Sequence, residues 1–172
     1  GGVAVNLSPA QFRSSGLHSL VEQALSDSGL PAELLELEVT ESLAMEDLDT
    51  TSEIMRRLTE TGVNVSIDDF GTGYSSLSTL RKLPFTKIKV DRSFIADVDT
   101  DDDALTIVKT IVALAHTMSM SVVAEGVERP EQAEKLKAFG CEEAQGFLYS
   151  RPIEASAFAA FAASWSGGAA GV

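Results

Sequence analysis

The chain has 172 residues, 44% of them apolar, with 26 acidic against 13 basic side chains and a formal net charge of −13. That length supports one domain with a real core, and no apolar run approaches the ~20 residues of a membrane span. So acidic a surface disfavours general nucleic-acid binding, which needs Lys and Arg to displace counterions. It also repels free phosphate esters unless cations sit in the site. The single cysteine, Cys141, cannot form an internal disulfide, which fits a reducing cytoplasm.

Short apolar segments alternate with amphipathic ones along the chain. Val3 to Val5 reads as a strand ending at Asn6. Ser8, Pro9 and Gln11 supply an N-cap, a proline at the first helical position and the far side of a capping box, so a helix is predicted to about Ser28, closed by Gly29. Leu34 to Val39 is the second strand, and a helix from about Leu48 ends at Gly62. Val63 to Ile67 alternates with period two, as a strand does. The turn Gly71-Thr72-Gly73 leads to a short helix ending near Pro84, then to a strand from Thr86 to Val90. The acidic run Asp99 to Asp103 reads as a solvated loop or helix start. Behind it Leu105, Val108, Ile111, Val112 and Ala115 mark one buried helical stripe. Ser121 to Ala124 is a strand, Pro130 opens a helix that Gly140 closes, and Ala144 to Tyr149 is the last strand. A final Ala/Phe-rich helix includes Phe158, Phe161 and Trp165, and 167–172 reads as a flexible tail after a domain spanning 1–166.

Six strands each followed by a helix predict an α/β fold with a parallel sheet and outer helices. Polar residues fall at every strand's C-terminal end: Asn6; Glu38 and Glu41; Asp68 and Asp69; Lys89 and Asp91; Glu125 and Glu128; Gln145. In a β/α barrel those ends share the face that carries active sites, whereas an open sheet gathers its site at a switch point far from the outer strands. Contributions from six strands therefore favour a barrel. Any one of these acids could be an ordinary helix cap. As a set they repel one another unless cations lie between them. Asn6, Glu38, Asp68 and Asp69 are thus candidate oxygen ligands for Mg²⁺ or Mn²⁺. A two-metal clamp suits displacement at phosphorus, and Lys89 could hold the attacking water or neutralise phosphate charge. His18 and His116 lie within predicted helices, and Cys141 and Trp165 read as packing residues.

Taken together, the residues resemble the EAL-domain family of cyclic di-GMP phosphodiesterases. The resemblance runs from Val3 to Phe161. It rests on Asn6-Leu7-Ser8, Glu38-Val39-Thr40-Glu41-Ser42, the nine residues Asp68 to Ser76, Lys87-Ile88-Lys89-Val90-Asp91, Glu125-Gly126-Val127-Glu128 and Gln145-Gly146-Phe147. It implies six of the eight units of a (β/α)8 barrel and metal-dependent hydrolysis of cyclic di-GMP to linear pGpG. Asn6, Glu38 and Asp68 would be metal ligands, with Asp69 serving a second metal. Lys89 and Glu125 would hold and activate the attacking water. Glu41 would anchor the loop Phe70 to Ser76, with Glu128 and Asp91 in supporting positions and Gln145 on the substrate side. It also implies a homodimer formed around the Asp68–Ser76 loop and fusion to a sensor or cyclase domain. The family's Glu-Ala-Leu segment is expected upstream of Gly1, so the first two β/α units are expected to be missing and the isolated chain to be impaired. Three rivals are a catalytically inactive EAL domain acting as a cyclic di-GMP receptor or interaction module, a non-enzymatic acidic interaction module, which leaves the inward carboxylates unexplained, and an enolase-type barrel. The enolase-type barrel places its Lys-x-Lys strand ahead of its acidic ligands, the reverse of the order here.

Overall fold

A computed structural model describes residues 2–73 and 77–164. The expected tail at 167–172 and the packing role of Trp165 fall outside them. Two compact units divide the chain: Gly1–Lys89 with Thr117–Met120, and Val90–His116 with Ser121–Val172. The strands follow chain order in the sheet, from β1 to β6.

The first unit begins with β1 (Val3–Asn6), α1 (Pro9–Phe12) and α2 (Leu17–Ser28). The single helix expected over this stretch is two. Its capping box forms as read, Ser8 Oγ accepting from the Gln11 amide, but the first helix stops after one turn. The reason is the run Arg13 to Gly16, where Ser14 Oγ accepts from the Gly16 amide and glycine provides no helical preference. β2 (Leu35–Thr40) leads directly into a short α3 (Glu41–Met45) that periodicity did not signal, and then into α4 (Leu48–Glu60). Asp47 caps α4 by accepting from the Thr50 amide at 3.2 Å, and Thr51, Met55 and Leu58 form its buried stripe. Gly62, at φ +93°, ends the connection in a conformation other residues rarely adopt.

β3 (Asn64–Phe70) is longer than expected and carries Asp68 and Asp69 within it. α5 (Leu77–Leu80) and β4 (Lys87–Val90) follow. β1, β2 and β3 pair in parallel, with Asn6 opposite Glu38, Glu38 opposite Ser66 and Thr40 opposite Asp68. Alternation divides the strands cleanly. Leu37, Val39, Val65, Ile67, Ile88 and Val90 are buried on one face, while Glu36, Glu38, Ser66, Asp68, Lys87 and Lys89 occupy the other. At the sheet edge β1 is exposed throughout, Val3 at 51%.

The second unit contains α6 (Arg92–Ile95), α7 (Asp102–Thr117), β5 (Ser121–Glu125), α8 (Pro130–Ala138), β6 (Glu143–Gln145) and α9 (Ala155–Ser164). Val108, Ile111, Val112 and Ala115 of α7 are buried as the stripe predicted, and Leu105 is half-buried. β5 and β6 pair in parallel with Glu125 opposite Gln145. The last strand is three residues, not the expected six. At Gly146 the backbone runs so close to Val127 that a Cβ would collide with it, and Tyr149 and Ser150 then donate back to the Gly146 carbonyl in a turn. α9 has no fully buried residue, and Phe158 is exposed. Among the described residues no helix is long and apolar enough to cross a membrane.

Candidate metal centre and its loops

The polar face of the first unit gathers five of the predicted site residues. Asn6 and Glu38 are register partners across β1 and β2, so their side chains project to the same side. Glu38 faces Ser66 on β3, and Asp68 lies one pleat further along the same face. From β4, the Lys89 ammonium reaches Glu38 Oε1 at 2.8 Å and Asp68 Oδ1 at 3.0 Å. All three of those residues are buried. Burying one ammonium between two carboxylates satisfies its desolvation only because both oxygens approach it closely. Asp69 is exposed, and a carboxylate oxygen on it lies within 4.8 Å of one on Asp68. Below this tier, Lys87 Nζ pairs with Glu36 Oε2 at 2.7 Å.

The geometry at Asp69 follows from its backbone. Asp69 sits at φ +54°, a region that Asp tolerates better than most residues, and Gly71 follows at φ +99°. The left-handed residue turns the chain out of β3. Thr72 Oγ1 donates to the Asp69 carbonyl at 2.8 Å, and Asp68 Oδ1 accepts from the Asp69 amide at 3.1 Å. Non-glycine residues at positive φ store strain and concentrate at functional sites.

Glu41, the first residue of α3, holds the segment that follows. Its Oε2 accepts from the amides of Gly71 at 2.9 Å and Gly73 at 3.2 Å, and the residue is only 2% exposed. A Cβ at Gly73 would lie 2.8 Å from Glu41 Oε1. A side chain at this position would therefore have to displace the Glu41 carboxylate. Tyr74, Ser75 and Ser76 fall outside the described residues.

The remaining predicted residues belong to the second unit. Glu125 ends β5 half-buried, Glu128 is exposed three residues later, and Gln145 ends β6 exposed, with its carbonyl accepting from the Val127 amide at 3.0 Å. Asp91 caps α6: its Oδ1 accepts from the Ser93 amide at 3.0 Å, and hydrogen bonding to Ser93 holds its carboxyl below the usual range. His18 pairs with Glu22 within α2, and His116 bonds to Glu142 at 2.8 Å. Asp99, read as part of a solvated run, pairs with Arg129 and is half-buried, whereas Asp102 and Asp103 begin α7 as expected.

Three participants escaped the sequence reading. Ser66 has a fully buried hydroxyl with no hydrogen-bond partner among the described residues. Its place two residues before Asp68 on an alternating strand was the available signal. Gln132 binds the loop after β5 and Arg129, within that loop, bonds to Asp99 and the Ala96 carbonyl; Gln132's position two residues after Pro130 marks it as the reach-back residue of a helix start. A Gln on a helix surface is otherwise unremarkable in sequence.

A family model described as EAL domain matches residues 1–152. A bifunctional diguanylate cyclase/cyclic di-GMP phosphodiesterase, MucR of Pseudomonas aeruginosa, is 49% identical over 153 residues, covering 89% of this chain and 22% of the relative. The solved PaMucR phosphodiesterase in complex with c-di-GMP superposes with a TM-score of 0.86 at 48% identity, over 91% of this chain and 64% of that one. A manganese and cy-diGMP complex of Klebsiella pneumoniae BlrP1 superposes with a TM-score of 0.82 at 33% identity, over 88% of this chain and 39% of that one. The chain spans about a fifth of the length of the curated relatives it matches. Its fold class is that of a partial (β/α)8 barrel with six β/α units.

Proposed function

Because this chain belongs to the EAL-domain family, we propose that it carries most of a metal-dependent phosphodiesterase site that hydrolyses cyclic di-GMP to linear pGpG. The observation that carries this reading is the cluster formed by Glu38, Asp68, Asp69 and Lys89. Three carboxylates against one ammonium leave a formal excess of two negative charges at a largely buried place. Every donor is a hard oxygen, so the set fits Mg²⁺ or Mn²⁺ better than a soft metal.

Asn6, Glu38, Asp68 and Asp69 would hold two such ions. When bound, the ions would lower the pKa of a coordinated water and stabilise charge on the phosphate oxygens. Lys89, with its ammonium already between two of the ligands, would orient the attacking water and balance charge as the ions load. Glu125 would take the water's proton at its carboxylate. Gln145 would contact the substrate, and Glu128 and Asp91 would support the neighbouring loops. Glu41 would fix the loop from Phe70 onward through Gly71 and Gly73, and in that way hold Asp69 in its left-handed conformation. A homodimer through the Asp68–Ser76 region, a fused sensor or cyclase domain and a cytoplasmic site of action complete the reading.

The test is hydrolysis by the full-length protein, followed by chromatography of pGpG with Mn²⁺, with Mg²⁺ and with excess EDTA. Turnover with either ion and none in EDTA is expected. Tight cyclic di-GMP binding without turnover would instead assign a receptor role. Full turnover in EDTA would remove the metal site from the reading, and neither binding nor turnover would remove the substrate.

A further inference from the structure

Gln132 is 1% exposed, yet its side chain bonds entirely to backbone. Its Nε2 donates to the carbonyls of Ile95 at 3.1 Å and Ala96 at 3.0 Å. Its Oε1 accepts from the amides of Glu128 and Arg129, both at 2.9 Å. The partners fix the amide's orientation, since only oxygen can meet two N–H groups and only the NH₂ can meet two carbonyls. Ile95 and Ala96 lie at the C-terminal end of α6, where the Ile95 carbonyl also accepts from the Val98 amide at 3.2 Å, and Glu128 and Arg129 lie just ahead of α8. One amide thus ties the end of one helix to the approach to another. A carboxylate lacks the donor, and a thioether lacks the donor and accepts only weakly.

An outer brace runs parallel to it. The Arg129 guanidinium grips Asp99 through two bonds, Nε to Oδ2 at 3.1 Å and Nη2 to Oδ1 at 2.5 Å, and also donates to the Ala96 carbonyl at 2.6 Å. The Asp99 side chain is 8% exposed and that of Arg129 44%, so one partner of the pair is shielded while the other reaches solvent. Between the two braces the loop after β5 has little slack. Gly126 sits at φ +72°, where a Cβ would lie 2.5 Å from that of Arg92, and Val127 bonds to the Gln145 carbonyl and the Leu148 amide, each at 3.0 Å.

We propose that Gln132, braced by the Asp99–Arg129 pair, is a positioning residue that sets where Glu125 and Glu128 stand by tying their loop to the C-terminal end of α6. The proposal rests on the reading of Glu125 and Glu128 as site residues given above. Gln132 touches no reacting atom; it acts through the Glu128 and Arg129 amides.

The experiment compares the parent with Gln132→Met, Asp99→Asn and, as a packing control on the same helix, Leu136→Ala. Amide hydrogen exchange and steady-state hydrolysis of cyclic di-GMP are measured in the full-length protein. In Gln132→Met the Glu128 and Arg129 amides should exchange at least about tenfold faster, the factor of one lost hydrogen bond. The kcat should fall about 10- to 100-fold with KM unchanged, as misplacement of a catalytic group does. Asp99→Asn should move both readouts in the same direction by less. Leu136→Ala should lower Tm without singling out those two amides or lowering kcat. A folded Gln132→Met with parental exchange at Glu128 and Arg129 would overturn the assignment, as would kcat losses that merely follow Tm in both helix variants. If Gln132→Met does not fold, Asp99→Asn decides: parental exchange at Arg129 with parental kcat refutes the brace. If the parent shows no turnover, the phosphodiesterase reading fails separately and the exchange readout alone decides.

Discussion

Lys89 and Glu38 form a 2.8 Å ion pair between side chains only 6% and 7% exposed, and the same ammonium lies 3.0 Å from Asp68. A lysine so placed balances charge in a cluster that, on the reading above, also receives cations.

The first prediction follows from that placement. Lys89→Met leaves Glu38 and Asp68 buried without their shared counter-charge, which should cost about 3–5 kcal/mol of stability in EDTA. A cation that binds only the folded state restores stability in proportion to its occupancy. Urea unfolding with and without Mn²⁺ measures both effects. An identical deficit in the two conditions would speak against a cation between these carboxylates.

The second concerns Ser66. Its hydroxyl is buried without a hydrogen-bond partner among the described residues, and such a group costs free energy that a methyl group does not. Ser66→Ala should therefore raise the unfolding free energy by about 1 kcal/mol. A drop of similar size in urea unfolding would mean that the hydroxyl gains more than this geometry gives it.

The third joins Glu41 to Gly73. Glu41→Ala removes a buried carboxylate that accepts two backbone amides, at a cost of about 2–4 kcal/mol, since bonds to charged groups exceed neutral ones. Gly73→Ala should reproduce part of the loss, because its Cβ would sit 2.8 Å from Glu41 Oε1. Hydrogen exchange at Gly71 reports both. Faster exchange in Glu41→Ala alone would show that the carboxylate yields to the extra methyl group.

The fourth concerns Cys141, which is buried, donates to the Glu143 carbonyl at 3.2 Å and has its thiol pushed up to about 11, chiefly by burial. The folded value lies above the unfolded one of about 8.5. The thiol's contribution to stability is thus fully present below about pH 8.5 and is lost as pH rises through the folded value. Stability of the parent should fall relative to Cys141→Ala over that window, and native protein at pH 8 should resist alkylation until urea unfolds it. Rapid labelling of the folded protein at pH 8 would contradict the burial.

The repeating strands and helices were legible because periodicity is a local property: Val65 and Ile67 alternate with Ser66 and Asp68 whatever lies beyond them, and Val108, Ile111, Val112 and Ala115 share a helical stripe. The candidate ligands were legible for the same reason, as acids that recur at strand ends. The short elements were not. α3 depends on Thr40 capping it directly after β2, and β6 ends where Gly146 meets the Val127 backbone, a contact between positions 19 residues apart. Sequence left Lys89 as a cation near acids, and parallel pairing of β2 with β3 placed its partners at Glu38 and Asp68. Asp99 read as one more solvated acid until the fold set it against Arg129, 30 residues on. Composition and spacing thus determine which residue types are available to the site and which face of each strand they occupy. Which of those groups meet is decided by chain folding, because a hydrogen bond or ion pair requires atoms within about 3 Å and only tertiary structure closes that distance.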